Sequence, residues 1–189
     1  VVISGLTLKA SGGDGIYIST GSRLGGCRDV LIDNVTCDDH HRQGISIISA
    51  ENLLVRNSRF RNTCGTPPQC GVDIEPNTNR DHVINNVFEN CEFSGIRSKL
   101  SGASQAGRDL GLAALNADSK PVSITFRNCR SFGNASDGIA LYMSSTASAK
   151  GSVLIENCEV RSNQGGALVI SNQQDAGMQL AIRNTVLDN

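Results

Sequence analysis

Residues 30–34 read Val-Leu-Ile-Asp-Asn, and this short apolar run ending in Asn returns five more times along the chain. The later copies end at Asn57, Asn90, Asn128, Asn157 and Asn184. A second pattern, glycine followed by alternating apolar residues, is interleaved with the first and begins at Gly15, Gly44, Gly71, Gly95, Gly138 and Gly166. Apolar residues at every second position are typical of β-strands. The Asn residues are 23, 33, 38, 29 and 27 positions apart, and such a repeat predicts a parallel β-solenoid.

The solenoid also explains the composition of the chain. Stacked turns of the chain, here called rungs, lie about 4.8 Å apart and leave a narrow interior for small or branched side chains. The chain has no Trp and only 4% aromatic residues, as such an interior requires. We expect each Asn to form a bend and to bond the Asn of the next rung. We expect the glycines to open the next strand, at a corner with a positive φ.

The Asn-Cys-x-Phe/Val and Gly-Ile-x-Ile patterns resemble those of right-handed parallel β-helices of the pectin-lyase-like superfamily, over essentially the whole chain. The resemblance implies an all-β fold, a right-handed single-stranded parallel β-helix of about six rungs. We expect one domain, 1–189, that is a segment of a longer chain, because neither end shows a polar cap. A neighbouring domain or an oligomer would also cover such ends.

The longest interruption of the repeat is the loop insertion at residues 98–120. Its Ala and Leu residues would suit one short helix. Long loops on a rigid solenoid commonly form a wall beside a binding groove. We expect this loop and the shorter Cys64–Cys70 loop to flank the rung that contains Asp73.

The seven cysteines include no Cys-x-x-Cys pair, which argues against structural zinc. Cys91, Cys129 and Cys158 each follow a bend Asn, so we expect a stack of buried thiols. Cys64 and Cys70 bracket a five-residue loop and are either a disulfide or free thiols. A disulfide would favour an oxidising compartment.

The chain has 17 Lys and Arg residues and 18 Asp and Glu residues, which gives a formal net charge of −1. No basic run is present, which argues against nucleic-acid binding. No apolar run is long enough to cross a membrane, and no signal peptide is visible in this segment. The resemblance implies a secreted protein, either extracellular or periplasmic.

The candidate site lies on the outward face of the Gly-apolar-x-apolar strands. Stacking these strands in the order of the pattern predicts one outward column formed by Tyr17, Ser46, Asp73, Arg97, Ala140 and Leu168. The first four are polar or aromatic, so we place a groove in the N-terminal half. The predicted substrate-binding residues are Tyr17, Asp39, Arg42, Gln43, Ser46, Gln69 and Lys99.

Asp73 and Glu75 stand two apart on one strand and should face the same side, with Cα atoms about 6.5 to 7 Å apart. Such a pair could position a water molecule for hydrolysis, bind a cation such as Ca²⁺, or shape the charge of a proton-abstracting site. The alternative is a structural ladder of ion pairs with Arg42 and Arg97. His40 and His41 precede the second strand, where either a catalytic base or an ordinary turn histidine would be in place.

The segment 70–76, Cys-Gly-Val-Asp-Ile-Glu-Pro, is similar to the active-site strand of alginate C5-epimerases, Tyr-Gly-Phe-Asp-Pro-His-Glu. Asp73 matches the functional Asp of that family. Cys70 stands in place of the Tyr and Glu75 in place of the His, so His41 on the preceding rung would have to supply the imidazole. The Asp-Asp and Gly-His-Gly signatures of polygalacturonases do not occur here in order.

The resulting hypothesis is a polysaccharide lyase or C5-epimerase that abstracts a proton from an acidic polysaccharide. Such chemistry needs neutralisation of the uronate carboxylate, a base and an acid. Arg97 or Arg42 would neutralise the uronate carboxylate. His41, or His40 in its place, would be the base. The residues assigned to positioning or cation binding are Asp73, Glu75 and Asp39.

Two alternatives remain open. One is a glycoside hydrolase that uses Asp73 and Glu75. The other is a non-catalytic protein: a glycan-binding, tailspike-like or adhesin-like solenoid, or a structural spacer.

Overall fold

The computed structural model describes residues 1–20, 26–78, 80–97, 110–112, 121–142, 150–171 and 177–189, with the backbone alone at 110–112, 142, 171 and 178. Across these ranges the chain forms three parallel sheets, and each strand pairs with strands three positions away in chain order. The predicted all-β parallel solenoid is confirmed. Six three-strand rungs and a final two-strand rung are present in the described ranges, in agreement with the expected number.

The first sheet has the order β1 (Val2–Ser4), β4 (Cys27–Asp33), β7 (Ala50–Arg56), β10 (Val83–Glu89), β13 (Val122–Arg127), β16 (Gly151–Glu156) and β19 (Met178–Arg183). The second sheet has the order β2 (Thr7–Lys9), β5 (Thr36–Asp38), β8 (Arg59–Arg61), β11 (Glu92–Ser94), β14 (Arg130–Phe132), β17 (Glu159–Arg161) and β20 (Val186–Leu187). The third sheet has the order β3 (Ile16–Ile18), β6 (Gln43–Ile47), β9 (Cys70–Ile74), β12 (Leu110–Leu112), β15 (Ile139–Tyr142) and β18 (Leu168–Ser171).

The core is a set of columns that run along the solenoid axis. Register places Ile32, Val55, Phe88, Phe126 and Ile155 beside one another on successive strands of the first sheet, and all five are buried. The rings of Phe88 and Phe126 stack with centroids 4.9 Å apart. A side chain in such a column packs against its own equivalents, so the same residue type recurs from rung to rung.

The bend prediction for Asn is confirmed between the first and second sheets. All six Asn residues of the repeat have a left-handed backbone, with φ between 47° and 54°. Asn tolerates this region better than most residues because its short polar side chain can bond locally. The amide of Asn128 donates to Asn90, and the amide of Asn90 donates to Asn57, each at 3.3 Å. The bends at Asn57, Asn90 and Asn128 therefore stack as the expected ladder, and Asn57 in turn donates to Asp33 of the preceding rung.

The glycines that open the third-sheet strands have a different role from the one expected. Gly15, Gly44 and Gly138 do not have a positive φ. A side chain at Gly44 would place its Cβ 2.5 Å from the carbonyl oxygen of Gly71 on the next rung. Glycine is needed at this position because neighbouring rungs approach closely, and not because of the backbone angle.

The cysteines follow the expectation for buried thiols. Cys91, Cys129 and Cys158 are 2%, 4% and 5% exposed, and the backbone N–H of Cys129 donates to the sulfur of Cys158. Cys64 and Cys70 are free thiols, so the disulfide alternative does not hold in this structure.

The range 98–120 contains a strand that the sequence does not predict. Leu110–Leu112 pairs with β9 on one side and β15 on the other, and so completes the third sheet. The short helix expected in this range, apart from residues 110–112, lies outside the described residues. In the parts of the chain that are described, no helix is long and apolar enough to span a membrane.

Candidate functional site

The outward column of the third sheet differs from the predicted one. Register places Asp73 beside Ser46 on one side and beside Gly111 on the other, and the column continues through Ala140 to Val169. Contrary to the prediction, Arg97 and Leu168 do not lie in this column. Leu168 pairs with Ile139, one position out of register. Tyr17 and Ser46 do occupy the column on the first two rungs, as predicted.

Asp73 is the centre of a buried polar network. Its neighbours on the strand, Val72 and Ile74, pack in the core, so the Asp73 side chain points to the opposite face. It is nevertheless only 2% exposed. Its Oδ2 accepts a 2.8 Å hydrogen bond from Nε2 of Gln43, and its Oδ1 is buried without a partner in the described residues.

Burial raises the pKa of Asp73 to about 7, because the charged carboxylate is desolvated. The negative charges of Glu75 and Asp14 raise the pKa further, and the positive charge of Arg42 opposes them. A carboxyl group in this condition exchanges its proton near neutral pH, which is the property expected of a general acid or base.

A second carboxylate, Asp14, organises the side of the network nearest the first rung. It accepts a 3.1 Å ion pair from Nη1 of Arg42 and a 2.8 Å hydrogen bond from the hydroxyl of Ser46. Its side chain is 8% exposed, whereas that of Arg42 is 36% exposed. Asp14 therefore holds one end of the Arg42 guanidinium while the rest reaches solvent. The sequence places Asp14 in a turn, and its alignment with Gln43 on the next rung is the signal that would have revealed it.

Glu75 and Tyr17 form the more open part of the site. Glu75 follows β9 directly, is partly buried, and is near enough to Asp73 to affect the pKa of that carboxyl group. Tyr17 is 59% exposed on the first rung. An exposed tyrosine ring beside charged groups can stack on the apolar face of a sugar.

His40 does not face this network. It is 1% exposed, and its Nδ1 accepts a 3.2 Å hydrogen bond from the backbone N–H of Ser11 and lies 2.8 Å from the Ser11 hydroxyl. Burial lowers the pKa of His40, although the charges of Asp38, Asp39 and Asp14 oppose this effect. The imidazole is packed inside the corner and reaches almost no solvent, and the role of His40 as a base stays a prediction.

His41 and Arg97 lie on the corner between the second and third sheets. Both are exposed. The N–H of Cys64 bonds to the carbonyl of His40, and the N–H of Arg97 bonds to the carbonyl of Thr63. In parallel pairing these bonds align His41, Cys64 and Arg97 on successive rungs. Arg97 therefore lies next to Cys64 in the column of this corner, two rungs from His41, and not beside Asp73, because the strand that follows β9 in the third sheet is β12.

Comparison with known proteins identifies the family. The family model described as "Right handed beta helix region" matches residues 1–189. The chain belongs to the right-handed β-helix family. No curated protein matches the sequence.

Among solved structures, this β-helix resembles the crystal structure of pectate lyase Pel9A with a TM-score of 0.55 and 13% sequence identity. The match covers 100% of this chain and 52% of the pectate lyase chain, so this chain spans about half of that protein. At this identity the likeness shows the fold alone.

Asp38, in the second sheet of this β-helix, forms ion pairs with residues of the two neighbouring rungs. Asp38 pairs with Arg61 at 3.3 Å and Lys9 at 3.9 Å on the second sheet. Burial acts to raise the pKa of Asp38, but the hydrogen bond from Asn62 and the charge of Arg61 outweigh it and hold the pKa below its usual range. Asp38, Arg61 and Lys9 thus form an ion-pair ladder on the second sheet, which is separate from the predicted ladder of Asp73 and Glu75 with Arg42 and Arg97.

The remaining predicted residues divide by exposure. Asp39 is exposed on a left-handed turn, with φ of 60°. Gln69 and Gln43 are fully buried, so neither side chain reaches solvent in this structure. Lys99 lies outside the described residues.

The expectation of a cation at Asp73 and Glu75 gains no support. No group of three His, Cys, Asp or Glu side chains in the described part of the chain is arranged to hold a metal ion. Oδ2 of Asp73 already accepts a hydrogen bond from Gln43.

Proposed function

We propose that this β-helix acts on an acidic polysaccharide and transfers the proton at C5 of a uronate residue, as a lyase or an epimerase. The observation that carries the proposal is the Asp73 carboxyl group. It is buried, its Oδ1 lacks a partner in the described residues, and its pKa is near 7. Both its protonated and ionised forms are populated at neutral pH, so the group can give or take a proton.

Arg42 is the group that we assign to the uronate carboxylate. Proton abstraction beside a carboxylate is feasible only when its negative charge is neutralised. Nη1 of Arg42 is paired with Asp14, while the guanidinium has further N–H donors on a partly exposed side chain. A guanidinium held at one edge keeps the other edge oriented for bidentate binding of a carboxylate.

Two exposed residues complete the proposed site. Tyr17 would stack on a sugar ring on the first rung. His41, exposed on the neighbouring corner, would be the second proton-transfer group, since imidazole is the side chain most often used for general acid–base catalysis. The structural neighbour is a pectate lyase, which agrees with the proposal of a polysaccharide as substrate.

The test is turnover of uronate oligosaccharides of the pectate and alginate types in D2O, followed by NMR. An unsaturated uronate end group indicates elimination, and deuterium at C5 with unchanged chain length indicates epimerisation. The Asp73→Asn variant should lose activity by about 100-fold or more, because an amide cannot transfer the proton. The matched control is Asp29→Asn, the same chemical change at an exposed position in the first sheet, which should retain activity. Undiminished turnover by Asp73→Asn would refute the assignment.

Hydrolysis is the second candidate function. The observation in its favour is that Glu75 influences the pKa of Asp73, as expected of two carboxyl groups that share one site. In that case Asp73 would be the general acid and Glu75 the base or nucleophile. The same NMR experiment distinguishes it, because hydrolysis produces new reducing ends without unsaturation and without deuterium at C5.

A further inference from the structure

The orientation of the Gln43 amide is set by the backbone. The N–H of Cys70 donates a 2.7 Å hydrogen bond to Oε1 of Gln43. A backbone N–H can only donate, so the atom facing it must be the amide oxygen. The Nε2 group then has to face Asp73, where it donates to Oδ2 at 2.8 Å. Neither end of the amide is free to exchange with the other.

This orientation makes the two oxygens of Asp73 unequal. Oδ2 receives the Gln43 hydrogen, so a proton on Oδ2 would meet another donor. Oδ1 has no hydrogen-bond partner in the described residues and is shielded from solvent. We propose that Gln43 is a positioning residue that keeps Oδ2 of Asp73 as a permanent acceptor and makes Oδ1 the oxygen that carries the proton.

The other described groups around Asp73 do not donate a hydrogen bond to its carboxyl group. On the β6 side, the hydroxyl of Ser46 is occupied by Asp14. On the β12 side, the register partner of Asp73 is Gly111, which has no side chain to donate. The described charged groups that act on Asp73 are Glu75, Arg42 and Asp14, and they act through their electrostatic fields. Within the described residues, Gln43 alone donates a hydrogen bond to this carboxyl group.

Full burial of Gln43 agrees with this role. A glutamine that contacted substrate would need an accessible amide, whereas this amide is closed off between Cys70 and Asp73. Gln43 thus acts on a substrate only through Asp73. The inference rests on the proposed function where it speaks of proton transfer, but the hydrogen-bond arrangement can be tested without any substrate.

The test uses Gln43→Met, which keeps an unbranched side chain of similar size but has no donor, and Gln43→Glu, which can still accept from Cys70. The Asp73 carboxyl is followed by carbon-13 NMR in the free protein, and its signal is assigned by its loss in Asp73→Asn. A hydrogen bond to the ionised form stabilises that form, so its removal should raise the titration midpoint of Asp73 by about one unit. In Gln43→Glu a second carboxyl group beside Asp73 should move the midpoint in the same direction.

The two proposals fail in distinguishable ways. An unchanged Asp73 midpoint in folded Gln43→Met or Gln43→Glu overturns the positioning role, and if the Met variant does not fold, the Glu variant decides. With an active protein, kcat should fall and its pH profile should follow the NMR midpoint, while KM stays nearly constant. If the variant lost activity only through a higher KM, with kcat unchanged, the positioning role would also be overturned. Absence of turnover by the wild-type protein would overturn the proposed function only.

Discussion

Replacement of Asp73 by Asn should make the protein more stable at neutral pH and change the way its stability depends on pH. The pKa of Asp73 is raised from 3.8 to about 7 in the folded chain. Below about pH 4 the carboxyl group is protonated in both the folded and the unfolded state. Between these two values the folded state holds one more proton, so the free energy of unfolding falls as the pH rises. Above about pH 7 the full penalty of a buried charge applies.

The size of the effect follows from the shift. A difference of about 3 pH units, at about 1.4 kcal/mol per unit, corresponds to about 4 kcal/mol. Asn has the shape of Asp and its oxygen can accept the Gln43 hydrogen, but it never becomes charged. The stability of Asp73→Asn relative to wild type should therefore rise by about 4 kcal/mol between pH 4 and pH 8, apart from an offset that does not depend on pH.

The assay is urea unfolding of both proteins at several pH values between about 4 and 8, followed by circular dichroism. The difference in unfolding free energy between the two proteins reports the contribution of Asp73, because His40 and Asp38 are present in both. Asp29→Asn is again the matched control, since Asp29 is exposed, and its difference from wild type should be flat. A difference between Asp73→Asn and wild type that is constant across the pH range would refute the argument that burial raises this pKa.

Three further predictions concern the rungs themselves. Gly15→Ala should lower the free energy of unfolding in urea by about 1 to 3 kcal/mol, because the added methyl group would overlap the His40 ring. Gly13 has open space around it, so Gly13→Ala is the control and should change the stability little. Equal effects of the two substitutions would contradict the packing described for Gly15. Asn128→Ala should lower the free energy of unfolding by about 1 to 2 kcal/mol in the same assay, because φ is 53° at this position and the hydrogen bond to Asn90 is lost. Asn128→Gly should recover part of this free energy, since glycine adopts a positive φ without strain. Burial raises the pKa of Cys37 to about 12, so this thiol should resist alkylation until urea unfolds the chain. Alkylation is measured by mass spectrometry, and rapid labelling of Cys37 in the native protein would disprove the prediction.

The fold could be predicted because its rules are local and repeated. A left-handed bend favours Asn in every rung, so one conformational requirement appears six times in the sequence, from Asn34 to Asn184. A buried thiol after the bend recurs for the same reason. The role of the opening glycines was harder to predict, since close approach of Gly44 to the next rung is a contact between residues far apart in sequence.

The candidate site could be predicted only in part. The pattern correctly indicated Tyr17, Ser46 and Asp73 as one column, because the strands that carry them follow one another without a long insertion. The pattern was misleading at Arg97, because the segment Gly95-Ile96-Arg97 resembles the beginning of a strand in the third sheet. Strand pairing depends on where the chain returns to the sheet, and here it returns at Leu110, so Gly111 lies beside Asp73.

The amino-acid sequence by itself determined that this chain is a right-handed parallel β-helix, where its bends lie, and which face of Asp73 points away from the core. Tertiary structure alone decided that His40 is buried, that Asp14 holds Arg42, and that Gln43 holds Asp73. The reason is physical. Desolvation and charge act over distances of a few ångströms between rungs, and the pKa of a carboxyl group depends on neighbours that lie some thirty positions away in the chain.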